Sequence, residues 1–283
     1  MIRIACMRAV VVLMLPMVAI AQDYPYSTNE PQKSGWPLTA EERAYIVEKP
    51  EYDRRPGREV NKHLPHYWPE VPSAGHFGSG DSWLKLHEAH VKTVLDNAGP
   101  LDVLLVGDSI TIQWGESWQK HFPDLKAVNI GIGGDKTQNV LWRLDHGGVE
   151  GLEPRAIVLM IGNNNMFFTP ETGVEAAARG IEMCVKNLRE KFPDAKIVVA
   201  KILPAHAPDN RFYKDIVATN AALDSLKLTS DSHVQVLDLT TDFVHSDGTL
   251  KRELYSADNV HLSPAGYGTY ANRLKPILES LLH

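Results

Sequence analysis

Cysteine is nearly absent: two residues in 283 rule out a disulfide framework. Cys6 lies ahead of the first apolar run, not behind it as a lipoprotein cysteine would. Cys184 falls among Ala176, Ile181, Val185 and Leu188 at helical spacing, the pattern of a buried and inert thiol. A membrane-spanning run is also lacking. The apolar stretch Ala9 to Ile20 is shorter than the roughly 20 residues a spanning helix needs, and Pro16 interrupts it. Preceded by Arg3 and Arg8 and closed by Ala19-Ile20-Ala21, residues 1–21 have the form of a secretory signal cleaved after about Ala21. The expected location is secreted or periplasmic, with no stable membrane insertion after cleavage. Basic residues are in deficit. The leader carries two of the 29 Lys and Arg and none of the 35 Asp and Glu, so its removal takes the net charge from -6 to -8. That balance argues against nucleic acid or an anionic membrane as the main partner. There is no internal repeat and no low-complexity block.

What is present falls into two parts. Residues 22–80 are rich in Pro, Tyr, Trp and His, as in Tyr24-Pro25-Tyr26, Trp36-Pro37 and His63-Leu64-Pro65-His66-Tyr67-Trp68-Pro69. One short helix is predicted there, Thr39 to Val47, opened by a threonine cap with Glu42 three residues on. So many aromatics are unsuited to a free linker, and the segment is expected to wrap the main domain. His63, His66 and His76 have no acidic or cysteine partners at ligand spacing and do not make a metal site.

From residue 81 onward the pattern changes. Asp81 to Asn97 reads as an amphipathic helix whose apolar stripe is Trp83, Leu84, His87, Val91, Val94 and Leu95. Five apolar strands follow: Leu101 to Val106, Lys126 to Ile130, Ala156 to Ile161, Lys196 to Ile202 and Val234 to Leu237. Helices are predicted between and after them near Thr111 to His121, Lys136 to Leu144, Pro170 to Lys191, Asp209 to Leu228 and Pro264 to Leu282. Strands alternating with helices imply an α/β fold with a five-stranded parallel sheet covered on both faces, a three-layer α/β/α arrangement.

In such a sheet all loops that follow strands fall on one edge, so their contents can meet. The first carries Gly107-Asp108-Ser109 and delivers a serine between a strand and a helix. The second, Asn129-Ile130-Gly131-Ile132-Gly133-Gly134-Asp135, offers unhindered backbone N–H groups. It lacks the Lys-Ser/Thr ending of a P-loop, but it suits an oxyanion hole. The third, Ile161-Gly162-Asn163-Asn164-Asn165, supplies side-chain amides. The fourth, Asp258-Asn259-Val260-His261-Leu262-Ser263-Pro264, places a carboxylate three residues before an imidazole. The acid can orient Nδ1 and leave Nε2 to take a proton from a serine.

These four segments resemble, in order and separation, the four sequence blocks of the SGNH hydrolases, also called GDSL esterases and lipases, over about residues 81–283. The run Asn129 to Asp135 with Val140-Leu141-Trp142-Arg143-Leu144, and Phe243-Val244-His245-Ser246-Asp247-Gly248, are most similar to the branch that holds the catalytic subunits of platelet-activating factor acetylhydrolase. The resemblance implies a flavodoxin-like SGNH fold. It also implies Ser109 as nucleophile with Asp258 and His261 as acid and base, and an oxyanion hole from Ser109, Gly134 and Asn164. Asp108, Asp135, Asn163 and Asn165 are then candidates to line the substrate pocket. Gly-Asp-Ser-Ile stands for the usual Gly-Asp-Ser-Leu, and Asn165 for the commoner acid of the third block. No metal or organic cofactor is called for.

The implied activity is that of a secreted serine esterase working through an acyl-enzyme. Because no long apolar insertion is present to form a lipase lid, short acyl groups are expected, acetyl above all. An O-acetylated carbohydrate is the first substrate expectation. A lysophospholipid or other lipid ester, as in platelet-activating-factor-like acetylhydrolases, is the second. A non-catalytic carbohydrate-binding or interaction module is the alternative of another class, and the family's association habits allow a homodimer.

Overall fold

The structure, a computed structural model, describes residues 82–168 and 173–282. The expected leader, the 22–80 extension with its helix at Thr39 to Val47, and the start of the helix predicted from Pro170 lie outside the described residues.

The sheet is built around β1 (Gly99–Gly107), whose aliphatic residues send alternate side chains to opposite faces. Leu104 and Val106 join one core, and Val103 and Leu105 join the other. β2 (Ala127–Asn129) and β3 (Leu152–Met160) flank β1, with Val103 opposite Ala127 on one side and Ala156 on the other. β4 (Lys196–Ala200) and β5 (Val234–Leu237) extend the sheet to the order β2-β1-β3-β4-β5, all parallel. This is the flavodoxin-like order. The chain adds β2 to one side of β1 and β3 to the other, so the connections leaving β1 and β3 part company at a switch point, where open α/β sheets bind ligands.

On one face pack α1 (Ser82–Asp96), α4 (Thr137–Asp145), α6 (Val174–Lys191) and α7 (Arg211–Ser225), through Val94, Val140, Leu141, Ile181, Leu188, Ile216 and Leu223. On the other face lie α3 (Gly115–His121) and α9 (Pro264–Leu282), through Trp118, Tyr267, Tyr270, Leu274 and Leu278. The single helix predicted over Thr111 to His121 is two, α2 (Ser109–Ile112) and α3. The chain breaks at Gly115, whose φ of 39° lies in the left-handed region that glycine enters at little cost. Two further short helices, α5 (Asn163–Phe168) and α8 (Thr240–Phe243), follow β3 and β5. Cys184 is buried beside α4, where its Sγ meets the Thr137 carbonyl, and burial pushes its thiol well above the usual range.

Behind the switch point, α1 and α4 enclose a knot of rings. Trp83 stacks on His87, Trp142 stacks on His146, and Trp142 lies edge-on to both Trp83 and His87. His87 Nε2 meets the His146 carbonyl oxygen at 2.7 Å. Burial, with the Arg143 cation nearby, drives the His87 imidazole from 6.5 to about 3. Its neutral form therefore stabilises the fold at pH values above 6.5. As the pH falls below 6.5 the unfolded chain takes up a proton that the native state refuses, which costs about 1.4 kcal/mol per pH unit. His87→Gln keeps an amide donor but cannot titrate. Its stability relative to the parent, from denaturant unfolding at pH 7, 6, 5 and 4, is expected to improve by about that increment per unit. A constant offset would contradict the assignment. Comparing the two proteins cancels the opposing trend of Asp108, which burial raises to about 7 and which favours the fold at lower pH.

Candidate active site

Ser109 is the first residue of α2 and stands at the carboxyl end of β1. The turn before it is tight. A side chain at Gly107 would meet Thr111 Oγ1 at 2.1 Å and the Met160 carbonyl at 2.2 Å, so only glycine fits there. Asp108 caps the helix by accepting the Ile110 N–H at 3.0 Å. Across from it, the Asp258–His261 loop folds on itself. Asp258 Oδ1 accepts the N–H groups of Val260 and His261 at 3.0 Å, and Asn259 takes the left-handed conformation (φ 62°) that asparagine tolerates better than most residues. Asp258 Oδ2 lies 2.6 Å from His261 Nδ1, and His261 Nε2 lies 2.9 Å from Ser109 Oγ. Burial opposes the Asp258 charge, but the hydrogen bonds from the His261 ring and the Val260 and His261 amides outweigh it and hold the carboxyl down to about 2. An ionised Asp258 can only accept, so Nδ1 of a neutral His261 carries the proton. Nε2 is then the acceptor for the Ser109 hydroxyl.

The second loop is pressed against this serine. Asn129 ties it down, donating from Nδ2 to the Thr111 carbonyl at 2.7 Å and accepting the Gly131 N–H at 2.9 Å. A side chain at Gly131 would run into the Ile112 amide and the Asp108 carbonyl, and one at Gly133 would come within 3.8 Å of Ser109 Cβ. Among the described residues the N–H groups of Ser109 and Gly134 have no backbone acceptor. Asn164 lies between them. Its Nδ2 donates to the Asp135 carbonyl at 2.9 Å and to Asp108 Oδ2 at 3.2 Å, touching the residue after Gly134 and the residue before Ser109. Asn165 faces elsewhere: it accepts the Thr137 N–H at 3.1 Å and donates to Gln138 Oε1 at 3.0 Å. Among the described residues no group of His, Cys, Asp and Glu is arranged to hold a metal ion.

Residues 105–268 match the model of the GDSL-like lipase/acylhydrolase family. The chain belongs to this family. Platelet-activating factor acetylhydrolase IB subunit alpha2 of Rattus norvegicus is 36% identical over 216 residues, which cover 75% of this chain and 90% of that protein. Among solved structures, a GDSL-like lipase from Bacteroides thetaiotaomicron superposes with a TM-score of 0.58 at 18% identity, over 69% of this chain and 97% of its own. An acetylxylan esterase from Geobacillus stearothermophilus superposes with a TM-score of 0.51 at 16% identity, over 64% and 95%. These two likenesses speak for the fold. Family membership makes the GDSL protein a carboxylic ester hydrolase, acting on small-molecule esters.

The structure corrects part of the expected pocket of this GDSL acylhydrolase. Asp108, Asp135 and Asn165 are buried and committed to neighbours, so they brace the site from behind instead of lining it. Asp135 is paired with Arg143, and Asp108 is the helix cap. Asn163 opens α5 and is also largely buried. In their place an aromatic border appears. Phe167, three residues after Asn164, is 57% exposed and edge-on to Phe212 at 5.7 Å, which is edge-on to His206 at 5.4 Å. The His206 N–H donates to the Asn259 carbonyl, which brings this row to the Asp258–His261 loop. Nothing in local periodicity marks Phe167 or His206. Trp83 was visible only as a member of an apolar helix stripe and Arg143 only within the run that carries the family resemblance, because the buried acid that joins them is remote in sequence from Trp83.

Proposed function

We propose that this GDSL acylhydrolase is an exported serine esterase that removes acetyl and other short acyl groups through an acyl-enzyme. The observation that carries the reading is the hydrogen-bonded line from Asp258 through His261 to Ser109. His261 Nε2 takes the Ser109 proton as Oγ attacks the ester carbonyl, and the ring, now cationic, is held by the Asp258 carboxylate. The oxyanion is received by the N–H groups of Ser109 and Gly134 and by Asn164 Nδ2, which gives up its longer bond to Asp108 and keeps the one to the Asp135 carbonyl. Collapse of this intermediate breaks the ester C–O bond, and His261 returns the proton to the departing alcohol. Water, deprotonated by the same nitrogen, then attacks the acyl-serine, and His261 passes that proton to the departing Ser109 Oγ as the acid is released.

The acetyl preference is supported by the name of the 36% identical relative, an acetylhydrolase, and by the lack of a long apolar insertion that would form a lid. For the alcohol, the proposal is an O-acetylated carbohydrate, supported by the leader-like residues 1–21 and the aromatic-rich segment 22–80. A lipid ester is the second reading, favoured by the relative's substrate name. The same name, a subunit, supports a homodimer, which elution size would separate from a monomer. Export predicts a mature chain beginning near Gln22, read from the intact mass.

The test is hydrolysis of p-nitrophenyl acetate, butyrate and octanoate, with acetate release from acetylated xylan and from platelet-activating factor. Activity that fades with chain length together with acetate from xylan is the expected result. Acetate from the lipid alone would replace the first reading by the second. Preference for octanoate would contradict both. The Phe167 border adds a prediction: Phe167→Ala is expected to raise KM several-fold for the polymeric or lipid substrate while kcat for p-nitrophenyl acetate stays within two-fold, of the order expected for one exposed aromatic contact. An unchanged KM would remove Phe167 from the binding surface.

A further inference from the structure

We infer that Trp83, on helix α1 ahead of the matched family segment, is a positioning residue for the oxyanion donor at Gly134 and acts through Asp135 and Arg143. The inference rests on the esterase reading and adds to it a residue outside the four sequence blocks.

The Gly134 N–H belongs to the middle peptide of the turn Ile132–Asp135, which is closed by the Asp135 N–H donating to the Ile132 carbonyl at 3.2 Å. Gly134 at the third position has a φ of 81°, the geometry of a type II turn. Types I and II differ by a flip of that middle peptide, and a flip turns its N–H away from the site. With glycine at both corners no side chain opposes the flip. The restraint has to come from the end of the turn, and Asp135 is anchored there at three points. Trp83 Nε1 donates to its Oδ1 at 2.6 Å, Arg143 Nε donates to its Oδ2 at 2.8 Å, and Asn164 Nδ2 donates to its carbonyl at 2.9 Å. The remaining Arg143 donors reach the Ile130 carbonyl at 2.7 Å, just past the end of β2, and the Gly107 carbonyl at 3.4 Å, at the end of β1. One guanidinium thus ties the turn to the strand that delivers Ser109.

Trp83, Asp135 and Arg143 are each no more than 1% exposed, so water cannot replace a lost donor. The indole N–H supplies the hydrogen bond that the single Nε of Arg143 leaves unmade on this carboxylate. Without it Asp135 can swing about its arginine contact and carry the turn with it. The indole itself is held by Trp142, edge-on at 5.5 Å, and by His87, stacked at 5.8 Å.

The test is Trp83→Phe, assayed with p-nitrophenyl acetate beside the parent and Ser109→Ala. The expected result is a kcat lower by about ten-fold with KM within two-fold, and an equal weakening of a boronic acid that forms a tetrahedral adduct, the signature of a lost transition-state contact. If phenylalanine leaves too large a gap for folding, β-(3-benzothienyl)alanine at position 83 keeps the ring shape and exchanges only the N–H for sulfur. The same kcat loss is expected from it. A folded variant of either kind with parental kcat, or with its whole loss in KM, would overturn the role of Trp83 and leave the esterase reading intact. Activity that survives Ser109→Ala would overturn the reading itself, and this inference with it.

Discussion

His261→Ala lowers kcat for p-nitrophenyl acetate by about 10^5- to 10^6-fold, with KM changed little, as expected when the base of a serine triad is removed. The size follows from the geometry. With the Ser109 hydroxyl 2.9 Å from Nε2, no other described side chain is placed to take its proton. Asp258→Asn is the finer test. Its oxygens receive two backbone N–H groups and the Nδ1 proton. An amide in that place can turn its NH2 to the ring, fix the wrong tautomer and present Ser109 with an N–H instead of a lone pair. A loss of about 10^4-fold in kcat is expected. A loss below ten-fold in either variant, measured on folded protein, would exclude this triad.

The second large effect separates the three asparagines that follow β3. Asn164→Ala is expected to reduce kcat by about 10^2- to 10^3-fold, the range for one oxyanion donor, because its Nδ2 stands between the residues that neighbour Ser109 and Gly134. Asn165→Ala is expected to behave differently. That side chain joins α5 to α4 through Thr137 and Gln138, so its removal costs about 1 to 3 kcal/mol of stability and touches kcat less. Steady-state kinetics and thermal melting on both variants decide the assignment. A larger kcat loss from Asn165→Ala would exchange their roles.

The sheet was legible because each strand is a nearly unbroken aliphatic run. Val234–Leu237 has the predicted bounds, and Leu101 to Val106 gains only flanking residues in Gly99–Gly107. β3 begins earlier than expected, at Leu152, because Glu153, Pro154 and Arg155 alternate exposed and buried while the signal sought was a continuous apolar run. α5 was not anticipated, since three successive asparagines favour turns over helix. The line Ser109, His261 and Asp258 was legible because parallel topology forces strand-end loops together. The bracing behind it was not. A tryptophan in an apolar stripe gives no sign that its N–H will meet an acid 52 residues away. Equally, Asp135 and Asn165 look like pocket residues because they adjoin the proposed oxyanion donors. Their burial is decided by Arg143 and Thr137, which sequence adjacency does not reveal.

The most direct test of the central claim is the intact mass of the protein after incubation with a fluorophosphonate, with peptide mapping of the adduct. One phosphonyl group on Ser109, absent from Ser109→Ala and slowed in His261→Ala, is the predicted result. Full-length folded protein that stays unmodified, or that is labelled equally after Ser109→Ala, would show that Ser109 is not the nucleophile.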